Sequence, residues 1–289
     1  MTRKPEVERF LHPATSTFSY VIWDPETRKA AVLDSVLHYE AESGRTSTHY
    51  VDQIVQFVRA NQLQTQWVLE THVHADHVAG GAHIRHAVGG TTGIGAGVRT
   101  VQRHFREVYG LERGFLADGS QFNRLFEDGE TFRIGSIDAR VIATPGHTPD
   151  HLTYLIGDAA FVGDTLFMPD GGTARCDFPG GDAHRLYQSI QRLFKLPDST
   201  RVFLCHDYKT PGRDEYCNET TIAEQRQNNI HVREGITAEE FVAMRTARDA
   251  TLDMPTLILP SVQVNMRAGE LPPAEDNGVR YLKIPLNAL

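Results

Sequence analysis

The segment His72-Val73-His74-Ala75-Asp76-His77 constrains this chain more than any other. It places three imidazoles and one carboxylate in six positions, and neutral imidazoles with carboxylates are the donor set of borderline transition metals. With 14 His among 289 residues, such a pattern arises by accident in roughly two of a thousand chains of this length, so a shared role outweighs coincidence. The short apolar run Gln66-Trp-Val-Leu-Glu70 reads as a buried strand that delivers the chain into the cluster. On an extended segment His72 and His74 point to one face. Asp76 and His77 are then expected in the first turn of a helix running from 77 to 88. A strand-to-helix junction of this kind lies outside the carboxyl end of a strand, where α/β sheets place their sites.

Three more apolar runs end in residues of the same chemical type. The strand 137–143 leads into Thr144-Pro-Gly-His147, the run 160–162 into Gly163-Asp164, and the run 201–204 into Cys205-His206. Each ending alone is an ordinary hydrogen-bonding or capping group, but together the strand ends supply a second, third and fourth source of ligands. Further strands are expected at 18–23 and 30–34, joined by the turn Asp24-Pro-Glu-Thr-Arg28, and at 130–134 and 152–156. Val51, Ile54, Val55 and Val58 stand at helical spacing within 50–60, and Asp182 is placed to cap a helix carrying Leu186, Ile190 and Leu193.

Strands and helices alternate through the first two hundred residues, so the fold class is a layered α/β architecture. We divide the chain into a catalytic core at 1–210 and an extension at 211–289 packed on it, a single domain overall. The extension is expected to be helical at 218–229 and 238–249 and rich in Pro and charge from 258 onward. His83, His86 and His104 read as surface groups.

A formal net charge of -8 disfavours a general nucleic-acid or anionic-membrane binder. No stretch approaches the roughly 20 apolar residues of a membrane span. The N-terminal basic residues lack an apolar run behind them, which argues against a secretory signal. Cys176, Cys205 and Cys217 are odd in number and form no Cys-x-x-Cys pair, so a reducing cytoplasm is the expected location.

These residues resemble the metallo-β-lactamase superfamily, whose signature His-x-His-x-Asp-His is followed by a His, a bridging Asp and a last His. The positions are His72, His74, Asp76, His77, His147, Asp164 and His206, over roughly residues 15 to 210. The resemblance implies a four-layer αββα sandwich with metal at one edge of its two sheets. Several segments are similar to the persulfide dioxygenase (sulfur dioxygenase) branch, bacterial type. They are Glu70–His77, Gly163–Phe167, Gly172–Phe178, His206-Asp-Tyr208 running on to Pro211-Gly-Arg213, and the tail Glu275–Pro285.

That branch implies one Fe(II) per chain, held by His72, His147 and Asp164. Two imidazoles and a carboxylate leave three positions open for a persulfide sulfur and O2, as in other non-haem iron oxygenases. The implied reaction turns glutathione persulfide, O2 and water into sulfite and glutathione. His74, Asp76, His77 and His206 then either orient ligands, water and substrate or hold a second ion. For the two glutathione carboxylates, Arg175 matches the branch's pocket arginine. Tyr208 and Thr148 are hydrogen-bond partners in this reading, and Lys209 and Arg213 add positive field. A sulfurtransferase is the natural pathway partner, and a homodimer fits the branch. The alternative is a dinuclear hydrolase of glutathione thioesters, similar to glyoxalase II, working with metal-activated water. All seven superfamily positions are filled, so the ligand set permits it; the Ala174–Phe178 segment favours the dioxygenase.

Overall fold

The structure, a computed structural model, describes residues 3–288. In chain order the strands are β1 Glu6–His12, β2 Thr17–Trp23, β3 Lys29–Leu33, β4 Val36–Glu40, β5 Arg45–Ser47, β6 Gln64–Leu69, β7 Val78–Ala79, β8 Thr91–Gly95, β9 Arg124–Phe126, β10 Thr131–Ile134, β11 Ile137–Ala143, β12 Leu152–Ile156, β13 Ala159–Phe161, β14 Arg201–Phe203 and β15 Glu219–Thr221. The helices are α1 His49–Ala60, α2 Gly81–Val88, α3 Val98–Val108, α4 Ala183–Leu193, α5 Ile222–Asn228, α6 Ala238–Asp249 and α7 Ile258–Asn265.

The strands form two six-stranded sheets, ordered β1-β2-β3-β6-β8-β9 and β10-β11-β12-β13-β14-β15, and a small sheet β5-β4-β7. Alternation along β2 explains how the layers stack. Phe18, Tyr20 and Ile22 face the second sheet and pack with Val141, Tyr154, Phe161 and Phe203, while Val21 turns outward with β3's Val32 to meet Val51, Ile54 and Val58 of α1. On the far side, Ile142, Ala160 and Val202 pack under Leu186, Ile190 and Leu193 of α4 and Phe241 of α6. The order helix, sheet, sheet, helix follows from these three contacts. Both sheets are buried on two faces, which is why β2 and β3 read as nearly continuous apolar runs.

Three expectations need correction. The helix expected from 77 begins only at Gly81, because Val78–Ala79 pair with Val36–Leu37 and the Gly80-Gly81 step is a poor helix interior. Residues 219–221 are an edge strand beside β14; only then does Thr221 cap α5 by accepting from the Glu224 amide. The polar tail from 258 opens with the buried helix α7. Asp182 caps α4 as expected, accepting from the Arg185 amide at 3.0 Å.

Candidate metal centre

Each ligand-type residue sits just past the carboxyl end of a strand. The loop after β6 carries His72, His74, Asp76 and His77; those after β11, β13 and β14 carry His147, Asp164 and His206. Two glycines make the approach feasible. Gly146 has φ +147° and a Cβ there would lie 2.3 Å from the Leu186 backbone; Gly163 has φ +50° and its Cβ would lie 2.7 Å from the His151 ring and Thr71 hydroxyl. No larger residue lets His147 and Asp164 come this close to α4 and the β6 loop.

The ligand atoms of His72, His147 and Asp164 all lie within 4.8 Å of one another, and so do those of His74, Asp76, His77 and His206. Asp164 faces both sets. Its Oδ2 stands 3.6 Å from His147 Nε2 and 4.0 Å from His72 Nε2, and its Oδ1 stands 3.4 Å from His206 Nε2. His72 and His74 rings are side by side, with centroids 4.1 Å apart. The sequence expected this shared face on an extended strand; it is achieved by an irregular loop.

Tautomers are set from behind. His147 Nδ1 donates to the Arg175 main-chain oxygen at 2.7 Å, and His72 Nδ1 lies 3.0 Å from the Thr71 hydroxyl, so in both rings Nε2 faces inward. His74 Nε2 is 3.0 Å from Asp34, leaving Nδ1 for the site. The Asp164 amide donates to His151 Nε2 at 3.0 Å. Asp34 also accepts from the Thr71 amide, and Asp150 accepts from the Val73 amide, both at 2.8 Å. From the far end of the chain, the Asn265 amide donates to the main-chain oxygens of His74 and His77 and accepts from the Ala79 amide.

Whether these residues fit a metal is answered by the atoms left over. His72 Nε2, His74 Nδ1, His77 Nε2, His206 Nε2 and Asp164 Oδ1 are all buried without a hydrogen-bond partner. Orphaned buried acceptors are costly, and five in one small volume is the pattern of ligands awaiting a cation. Burial, with His74 next to it, holds His72 well below the ordinary imidazole range, so it is the neutral ring that a metal needs. Burial also works against a charge on His74, but the Asp34 carboxylate overcomes it and holds this ring well above that range. Burial pushes the Glu70 carboxyl up to about 7.

A cavity of about 980 Å³ opens over the cluster, lined by Asp76, His77, His147 and Asp164 at its floor. The expected substrate residues divide. Tyr208 and Lys209 line it, Tyr208 stacked on the His206 ring at 5.6 Å. Arg175 also lines it, but its guanidinium is forked onto Asp177 at 2.6 Å and donates to the Asp253 oxygen. Arg213 is committed to Asp170 and Asp207 and does not line the cavity, so the positive field expected of it is neutralised. Thr148 is buried away from the lining.

Cys176 and Cys205 are buried in the core, burial pushing the first thiol up to about 12. His83, read as an unpartnered surface group, pairs with Asp52 at 2.8 Å. The sequence reading missed Asp34, Asp150, His151 and Asn265. Asp34 follows β3, and Asp150-His151 immediately precede β12, so the strand-end rule used for the ligands signals the first and points near the others; Asn265 carries no such signal.

The chain belongs to the metallo-β-lactamase superfamily, whose family profile matches residues 12–206. It is 52% identical over 294 residues to a probable metallo-hydrolase of Burkholderia pseudomallei, covering 98% of this chain and 99% of that one. It is 50% identical over 291 residues to Glyoxylase B2 of Dictyostelium discoideum, covering 100% and 99%. Human mitochondrial persulfide dioxygenase ETHE1 is 28% identical over 266 residues, covering 91% and 88%. The crystal structure of ETHE1 from Myxococcus xanthus superposes with a TM-score of 0.73 at 33% identity, covering 92% of this chain and all of that one. Among the described residues no helix is long and apolar enough to cross a membrane.

Proposed function

We propose that this chain is a non-haem iron persulfide dioxygenase acting on glutathione persulfide, with one Fe(II) held by His72, His147 and Asp164. The carrying observation is that these three ligand atoms gather as a set of two imidazoles and one carboxylate, while His74 groups with Asp76, His77 and His206. The likeness to ETHE1 of Myxococcus xanthus over nearly the whole of both chains supports it. When bound, ferrous iron supplies O2 activation and open positions beside the two imidazoles.

The chain's own residues do the rest. Thr71 and the Arg175 carbonyl fix the two rings, and His151 fixes the Asp164 backbone. In this reading His74, Asp76, His77 and His206 hydrogen-bond water and the persulfide beside the iron ligands. The overall reaction balances as persulfide plus O2 plus water giving thiol, sulfite and two protons; the terminal sulfur is oxidised and O2 reduced. The test is metal analysis of the purified protein alongside oxygen uptake. About one iron per chain with persulfide-dependent uptake supports the reading. Two zinc per chain with anaerobic thioester cleavage overturns it.

A second reading has its own support. His74, Asp76, His77 and His206 form an equally compact set with orphaned nitrogens, and Asp164 faces both sets. This suits a dinuclear hydrolase of glutathione thioesters, and the relatives named a probable metallo-hydrolase and Glyoxylase B2 are each about half identical to this chain.

A further inference from the structure

Most charges around the cavity are already spent on one another. Arg175 is forked onto Asp177, Arg245 pairs with Asp249 at 2.6 Å, and Asp207 is held by Arg213. Asp76 and Asp164 face the ligand imidazoles. Among the described lining residues this leaves Arg248 on α6 and Lys209 in the loop after β14 with no carboxylate in ion-pair reach, and Glu40 at the end of β4 and Glu42 in the β4–β5 turn with no cation in reach. Lys209 is the lesser of the two cations, since its ammonium lies 4.3 Å from the Tyr216 ring centroid. All four are exposed, and exposed charges by themselves are ordinary. They form a set because they line one cavity whose floor is His147 and Asp164, and because the side chains Leu252, Met254 and Tyr208 in the same lining are exposed apolar groups.

We propose that these residual charges sort thiols. Arg248 takes a carboxylate in its planar fork, Glu40 and Glu42 take an ammonium, and the sulfur is left to reach the floor. The cavity therefore accepts a zwitterionic amino-acid or peptide thiol and rejects a polyanionic, phosphorylated thiol of the coenzyme A type, which meets Glu40 and Glu42 with like charge. The inference rests on the reading that the cavity receives a thiol-derived substrate, and it holds equally for the oxygenase and for the hydrolase.

The test is calorimetric binding of S-methyl derivatives to the protein as purified, since a capped sulfur separates charge recognition from metal coordination and turnover. S-methylglutathione is expected to bind, and N-acetylation, which removes its ammonium charge, to weaken it roughly five-fold, the size of a partly exposed ion pair. Arg248→Gln is expected to weaken it by about the same factor. The double variant Glu40→Gln/Glu42→Gln is expected to lose the discrimination against the N-acetyl compound and to bind S-methyl coenzyme A better than wild type does. No binding of S-methylglutathione, no effect of N-acetylation, or equal affinity for the coenzyme A derivative overturns the proposal. Oxygen uptake and metal content decide between the two reactions without reference to this titration.

Discussion

The side-chain amide of Asn265 donates to the main-chain oxygen of His77 at 2.8 Å, across 188 residues of sequence. The same amide reaches the His74 oxygen at 2.8 Å, and its own oxygen accepts from the Ala79 amide at 2.7 Å. One buried side chain at the end of α7 thus holds both ends of the loop that carries His74, Asp76 and His77. The extension beyond residue 210 is part of the scaffold of the site.

Asn265→Asp keeps the shape and the acceptor for Ala79 but loses both donors, leaving two buried carbonyls unpaired and adding a charge. We expect a loss of at least about 2 kcal/mol in urea unfolding, since each orphaned group costs about 1–3 kcal/mol. We also expect weaker metal binding in a titration of the apoprotein. Unchanged stability with unchanged metal affinity would dismiss the role given to Asn265.

His147→Ala removes one of the two imidazoles facing Asp164 Oδ2. Bound metal and turnover should fall together, read by metal analysis and oxygen uptake on one preparation. Full metal with full turnover in this variant would contradict the ligand assignment.

Gly146→Ala asks for a Cβ 2.3 Å from the Leu186 backbone at a φ of +147°. Neither α4 nor the turn has slack, so the destabilisation should exceed about 2 kcal/mol, beyond that of a common surface change. Metal content should drop with it, because His147 is the next residue. A variant with normal thermal unfolding and normal metal content would show that the turn is looser than its geometry.

Burial, with Arg245 and Arg248 nearby, pushes His231 down from 6.5 to about 4. Its Nδ1 accepts from the Thr173 amide at 3.0 Å, a bond that protonation breaks. The folded chain therefore keeps this ring neutral where the unfolded chain begins to protonate it. Its contribution to stability is present above pH 6.5 and is lost progressively as pH falls from 6.5 toward 4. His231→Asn keeps an acceptor without the titration, so its urea midpoint should fall less steeply across that window. Parallel slopes for variant and wild type would remove His231 from the acid sensitivity.

The architecture and the seven ligand-type positions that the fold gathers were legible because both depend on local signals. Apolar runs of strand length locate β2, β3, β6 and β11 to β14, and a His or Asp just after such a run marks a strand end that faces the site. What escaped depends on partners distant in sequence. Val78–Ala79 become a strand only because β4 is there to pair with them. Arg175 and Arg213 look like free cations until Asp177, Asp170 and Asp207 are brought beside them. Arg248 was unremarkable as one basic residue among many until the others were found to be paired.

The two oxygens of Asp164 look in different directions, one toward His72 and His147 and the other toward His206. A single side chain is therefore common property of two neighbouring basins. Filling the second basin requires no new residue, only enough affinity to retain an occupant. Were both basins to take an ion, the step from one to two would be a matter of occupancy, open to adjustment from outside without rebuilding the floor.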